Sequence, residues 1–162
     1  NISSEKSESV LKLNRTVNFL TGIYPYHIMN SAFVSLEEKE SLRKITASIQ
    51  EWCGQSYLQI NKREKQLEIT SHSYFEGEAD QNFKIAENRT EDELWNLIRM
   101  GPQNLPLGKI KLVPSLESSR LNHKEIRAHQ ALAEMNQKEK TSLLNGNGTI
   151  EKASISDEQL HK

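Results

Sequence analysis

Cys53 and the five histidines have the most chemical reach of any residues in this chain, and their surroundings decide how far it extends. A nucleophile needs a Ser or Cys beside a base that a third group orients, and no recognisable local setting for such a group occurs here. A lone cysteine also excludes an internal disulfide and any multi-cysteine metal site within one copy of the chain. His27, His72, His123, His129 and His161 never fall at i, i+3 or i+4, the spacing that sets two imidazoles on one helical face as metal ligands. His72, in Ser71-His72-Ser73-Tyr74 at a strand end, is the histidine best placed to act as an acid or base, and it would need a remote carboxylate. The acidic runs Glu37-Glu38 and Glu91-Asp92-Glu93 sit where first helical turns are expected, and the helix dipole accounts for them there. The glycine cluster Asn145-Gly146-Asn147-Gly148 lacks the strand-to-helix setting and the Lys-Ser or Lys-Thr anchor of a phosphate loop. These residues assign no catalytic group, no metal ligand and no cofactor.

Charge narrows the partners. The 162 residues carry 21 Lys and Arg against 22 Asp and Glu, so no large field exists to draw in a phosphate backbone or an anionic bilayer. Nucleic-acid binding is the alternative function. It would use Lys62, Arg63 and Lys65 at a hairpin tip, or Lys109, Lys111 and Arg120 near the last strand, with Tyr57, Tyr74 or Phe75 for stacking, although Glu64 and Glu68 dilute the positive charge; a small enzyme with His72 as acid or base is the third function. No apolar run approaches the roughly 18 residues of a membrane span, so membrane insertion is not expected. The single cysteine favours a reducing, intracellular compartment. Four Asn-x-Ser/Thr triplets, at Asn1, Asn14, Asn88 and Asn147, would matter only in the secretory pathway. Asn as the first residue reads as a processed product or an excised piece.

The elements that must position these groups follow from hydrophobic spacing. Val10, Leu13, Val17 and Leu20 recur every three or four residues and predict an amphipathic helix over 7–21. After the aromatic run Tyr24-Pro25-Tyr26, Ser35 and Glu38 form a capping-box pattern ahead of Leu42, Ile45, Ile49 and Trp52, with Gly54 as the stop, which predicts a second helix. That helix would hold Cys53 at its negative end, where a thiolate is disfavoured, and would turn Trp52 toward a core. Tyr57–Ile60 and Leu67–Thr70 alternate apolar with polar and predict a hairpin, and Phe83, Ile85 and Ala86 suggest a further strand. Thr90 with Glu93 marks a short helix that Gly101 and Pro102 close, its Trp95 also assigned to the core; Ile110 and Leu112 mark a last strand. Residues 121–140 read as a thin, charged helix, and residues 142–162 as too polar to order.

The expected architecture is an α+β fold, a small, mostly antiparallel sheet packed against amphipathic helices. Residues 1–22 form an N-terminal helix, 23–116 the compact domain, 117–141 a C-terminal helix and 142–162 a disordered tail. With no chemistry evident, the leading function is a noncatalytic protein-interaction or assembly module, as part of a larger chain or a subunit of a complex. A protein partner or a second copy would contact Val10, Leu13, Val17, Leu20, Tyr24 and Tyr26.

Overall fold

A computed structural model describes residues 7–37 and 41–135. The chain is mostly β, and the expected α+β arrangement with an N-terminal helix is overturned. Six strands run in sequence order across one antiparallel sheet: β1 (Val10–Thr21), β2 (Tyr24–Ser35), β3 (Leu42–Glu51), β4 (Gly54–Arg63), β5 (Gln66–His72) and β6 (Gln81–Ala86). A smaller three-stranded sheet follows. In it β7 (Arg89–Thr90) lies parallel to β8 (Gly108–Val113), and β9 (His129–Ala133) is antiparallel to β8. Helices α1 (Glu91–Met100) and α2 (Leu116–Leu121) lie between these strands in sequence; α1 packs on β1, β2 and β3, and α2 on β3.

Both expected helices before residue 54 are strands, and the reason lies in which spacing is satisfied. In β1 it is the odd positions, Leu11, Leu13, Arg15 and Val17, that are half-buried, a period of two that the Val10-Leu13-Val17-Leu20 spacing obscured. In β3 the buried set is Leu42, Ile45, Ala47 and Ile49, alternating from Ile45 on after a register shift beside Leu42, and the β-branched residues of the segment suit the pleat better than a helix. The Ser35 hydroxyl accepts from the Glu37 amide at 3.1 Å, a local turn in place of the helix cap; Glu38 falls outside the described residues. Trp52 and Cys53 then form the two-residue turn between β3 and β4, both exposed, so neither the core assignment of Trp52 nor the helix-end position of Cys53 holds. Trp95, on the outer side of α1, is 50% exposed and is not core either.

The hairpin reading is correct, since β4 pairs with β5 in register from Tyr57↔His72 to Arg63↔Gln66, and β6 adds to β5 as the Phe83 and Ile85 pattern suggested. The second capping box is also present. The Thr90 hydroxyl accepts from the Glu93 amide at 3.3 Å, and the Glu93 carboxylate accepts from the Thr90 amide at 3.2 Å. The expected helix over 121–140 is replaced by an irregular stretch and β9 as far as the chain is described, and the expected disordered tail lies outside the described residues. Among the described residues no helix is long and apolar enough to cross a membrane.

One core joins the two sheets. Ile28, Ala32, Ile45, Ile49, Leu58, Ile60, Leu67 and Ile69 supply its floor from the large sheet, while Leu97, Val113, Leu116 and Ile126 cover them. Polar groups lock the cover in place. Asn96 Nδ2 donates to the backbone oxygens of Leu11 and Ala32, and Arg15 forms an ion pair with Glu117. Asp92 accepts from Asn30 Nδ2 at 3.0 Å and from the Leu116 amide at 2.9 Å.

Candidate functional site

Two surfaces of the large sheet stand out, one at its tip and one across its open face. The tip is built by the β1–β2 and β3–β4 turns, which lie side by side because β2 pairs with β3. Gly22 takes φ +64° in the first turn, a left-handed conformation that costs glycine nothing. Large apolar side chains crowd there in the open: Ile23 is 84% exposed, Trp52 72%, Leu20 68% and Tyr24 46%. The Tyr24 and Trp52 rings meet at 5.9 Å between centroids, and Phe19 stacks on Tyr26 at 4.9 Å.

Beneath the tip a polar network ties the sheet to α2. The Arg120 guanidinium is buried; its Nε donates to Ser56 Oγ at 2.7 Å and its Nη2 to Glu51 Oε1 at 3.0 Å. Tyr74 donates to the same Glu51 oxygen at 2.5 Å, and Tyr26 also hydrogen-bonds Glu51. Burial works to raise the Glu51 carboxyl, but the two phenols and the guanidinium outweigh it and hold it below the usual carboxylate range. Burial, followed by the Glu51 contact, pushes the Tyr74 phenol up to about 12. Arg120 also lies 4.3 Å from the centre of the Phe75 ring, whose edge contact with His123 and the 2.5 Å His123–Glu78 pair extend the cluster. With its acceptors and donors matched, this network is suited to holding α2 against the sheet rather than to proton transfer.

The open face of the sheet carries the residues that alternate with the core set. Row by row across the strands it reads Asn18, His27, Gln50, Gln55, then Thr16, Met29, Ser48, Tyr57, His72, then Asn14, Ser31, Thr46, Gln59, Thr70, Asn82. None of these strand positions is Lys, Arg, Asp or Glu, in a chain that is 27% charged. Charges return in the next row, at Lys12, Lys44, Glu68 and Lys84. A shallow cavity of about 310 Å³ sits on the uncharged part, lined by Asn18, His27, Gln50 and Gln55 among others.

A larger cleft, of about 560 Å³, opens at the far end of the sheet between β3, β4 and the start of α1. Its cations are engaged: Lys62 pairs with Glu87 at 2.7 Å, Arg89 with Glu93 at 3.5 Å, and Arg43 with Glu8 at 2.6 Å. Burial pushes the Glu93 carboxyl up to about 7, against the pull of Arg89. The three residues of the nucleic-acid alternative lie at this end. Lys62 is committed to Glu87 and Ser41, Arg63 stands 3.9 Å from Glu68, and Lys65 is exposed in the β4–β5 turn.

The proposed partner residues do not come together on one surface. Leu13 and Val17 are half-buried on the covered side of β1, and Val17 packs on the core. Val10 is 39% exposed on the opposite side, at the other end of the strand from the tip. Leu20 and Tyr24 belong to the exposed tip, whereas Tyr26 is half-buried in the network below. His72 is exposed and bonds the exposed Asp80 at 2.7 Å, outside both cavities. Among the described residues no group of three or more His, Cys, Asp or Glu side chains could hold a metal ion. Sequence reasoning missed Ile23, Glu51 and the Asn18-His27-Gln50-Gln55 row, gave Trp52 to the core, and considered Arg120 only as a cation for nucleic acid. Reading β1 and β3 with a period of two would have brought the row together; nothing in the sequence signals that Arg120 reaches Glu51 across 69 positions.

No protein-family model matches the sequence, and no curated protein or solved structure matches it either.

Proposed function

We propose that this chain is a noncatalytic binding module that engages a protein partner through the apolar tip of its large sheet. The observation that carries this reading is the grouping of exposed Ile23, Trp52, Leu20 and Tyr24 on two adjoining turns and the strand ends that lead into them. Scattered apolar residues on a surface need no explanation, but an exposed aromatic pair in contact, Tyr24 with Trp52, next to exposed Ile23 and Leu20 has the composition of an interface centre. Trp and Tyr anchors contribute most where they enter a partner's pocket and shed water. The Glu51–Arg120 network below supports this role, because it fixes the platform from which the turns project. The partner reading thus rests on the tip rather than on the face of a helix.

The test is site-specific photo-crosslinking in the cells that make the protein. A photoreactive side chain at Ile23 or at Trp52 gives discrete protein adducts, and the same group at Gln66 or Lys84, far from the tip, gives none. Adducts of equal yield at all four positions, or at none, would overturn the proposal. Adducts of twice the chain mass identify the partner as a second copy.

A further inference from the structure

We propose that the uncharged part of the open sheet face, centred on Asn18, His27, Gln50 and Gln55, binds a neutral, hydroxyl-rich ligand, namely a glycan chain. The row adjoins the tip, since Leu20 and Trp52 lie two residues on from Asn18 and Gln50, but the proposal does not depend on the reading of the tip. Gln50 and Gln55 lie directly opposite each other on β3 and β4, with His27 opposite Gln50 on β2 and Asn18 opposite His27 on β1. The row therefore presents amides and an imidazole side by side over four strands. Each amide offers donors and an acceptor in one plane, which matches the paired hydroxyls of a sugar ring, themselves both donors and acceptors.

Three observations favour a neutral ligand over water alone. The first is the absence of Lys, Arg, Asp and Glu from the strand positions of this row and the next two, bounded by the charged row of Lys12, Lys44, Glu68 and Lys84, with Asp80 at the border on His72. Amides and hydroxyls cost far less than ionic groups to strip of water, so such a face is suited to contact with a polar surface. The second is that Gln50, Gln55 and Ser48 have no side-chain hydrogen-bond partner among the described residues, whereas Asn18 bonds His27 at 2.8 Å and is held in place. The face thus combines an ordered pair with open donors and acceptors. The third is the cavity of about 310 Å³ on these residues, at the lower end of the roughly 300–1,000 Å³ typical of ligand sites. Tyr57, diagonal to Gln50 and held by its bond to Gln59 at 2.6 Å, supplies an aromatic surface for the C–H side of a sugar. A nucleic acid would require cations that these rows lack.

The full-length chain can be tested by native affinity electrophoresis through gels containing laminarin, xylan, galactomannan or dextran, with heparin as the charged control. The expected result is retardation by at least one neutral polysaccharide, unchanged between about 50 mM and about 500 mM salt, because no ion pair is involved. Gln50→Ala combined with Gln55→Ala weakens the retardation about tenfold, as expected for two lost hydrogen bonds. Gln55→Ala alone gives a smaller loss and covers the case in which the double variant does not fold. Ile23→Ser at the tip leaves retardation unchanged, which separates this site from the proposed protein interface. Absence of retardation in all four neutral gels, retardation by heparin alone, or full retardation of a folded double variant would each overturn the proposal.

Discussion

Replacing Asp92 with Asn should remove a pH dependence that runs opposite to ordinary acid denaturation. Asp92 is only 6% exposed in the first turn of α1, and burial pushes its carboxyl from 3.8 up to about 6, even though the Leu116 amide and Asn30 bond to it. Arg15 pulls the value down and Glu91 pushes it up, and neither offsets the burial. Between these values the folded chain holds a proton that the unfolded chain has released, so stability falls as pH rises through the window. A rise of about two units corresponds to at most about 3 kcal/mol lost between pH 4 and pH 7. Asparagine can keep both contacts: its oxygen accepts from the Leu116 amide, and its amide donates to Asn30 once the Asn30 amide flips. Urea denaturation at pH 4.5 and pH 7.5 measures the difference. The variant should be more stable than the parent at pH 7.5 and nearly equal to it at pH 4.5. An unchanged slope between the two pH values would refute the argument that burial dominates at this carboxyl.

Thr90→Ala removes one arm of the capping box and should cost about 1 kcal/mol by denaturant titration, most of it restored by Thr90→Ser. Arg120→Met leaves the Glu51 carboxylate without its counter-charge in a site nearly closed to water, and a loss of about 3–5 kcal/mol is expected in the same measurement. Gly54→Ala places a methyl 2.6 Å from the Tyr74 ring near its root, where Glu51 pins the phenol, and should cost about 1–3 kcal/mol. Cys53 should react with a thiol reagent in the native chain without denaturant; reaction only after unfolding would contradict its place in the β3–β4 turn.

The second half of the large sheet was legible because its alternation is regular and its turns are polar, as in Leu67-Glu68-Ile69-Thr70. Helix α1 was legible because its cap and stop are local chemistry, Thr90 with Glu93 and then Gly101. The first half was not. Arg15 occupies an inward-facing position and is made compatible with burial by Glu117, 102 positions away, so the period of two breaks where a distant carboxylate repairs it. Removing Arg15 from the pattern leaves Val10, Leu13, Val17 and Leu20 at helical spacing. Of the surface residues singled out from sequence, Leu20 and Tyr24 reached the tip. Their neighbours Ile23 and Trp52 were passed over, one as an interval residue and the other as core.

The order of the strands bears on how the chain leaves the ribosome. Each strand of the large sheet pairs with the one made just before it, so the whole sheet can zip together by Ala86. The residues that cover its apolar side, Leu97, Val113, Leu116 and Ile126, are made later. At about 5–20 residues per second, a sheet that zips as it is made would leave Ile45, Ile60 and Ile69 facing solvent for several seconds of synthesis. During that interval a chaperone has an apolar sheet to hold, and a nascent neighbour has one to stack against.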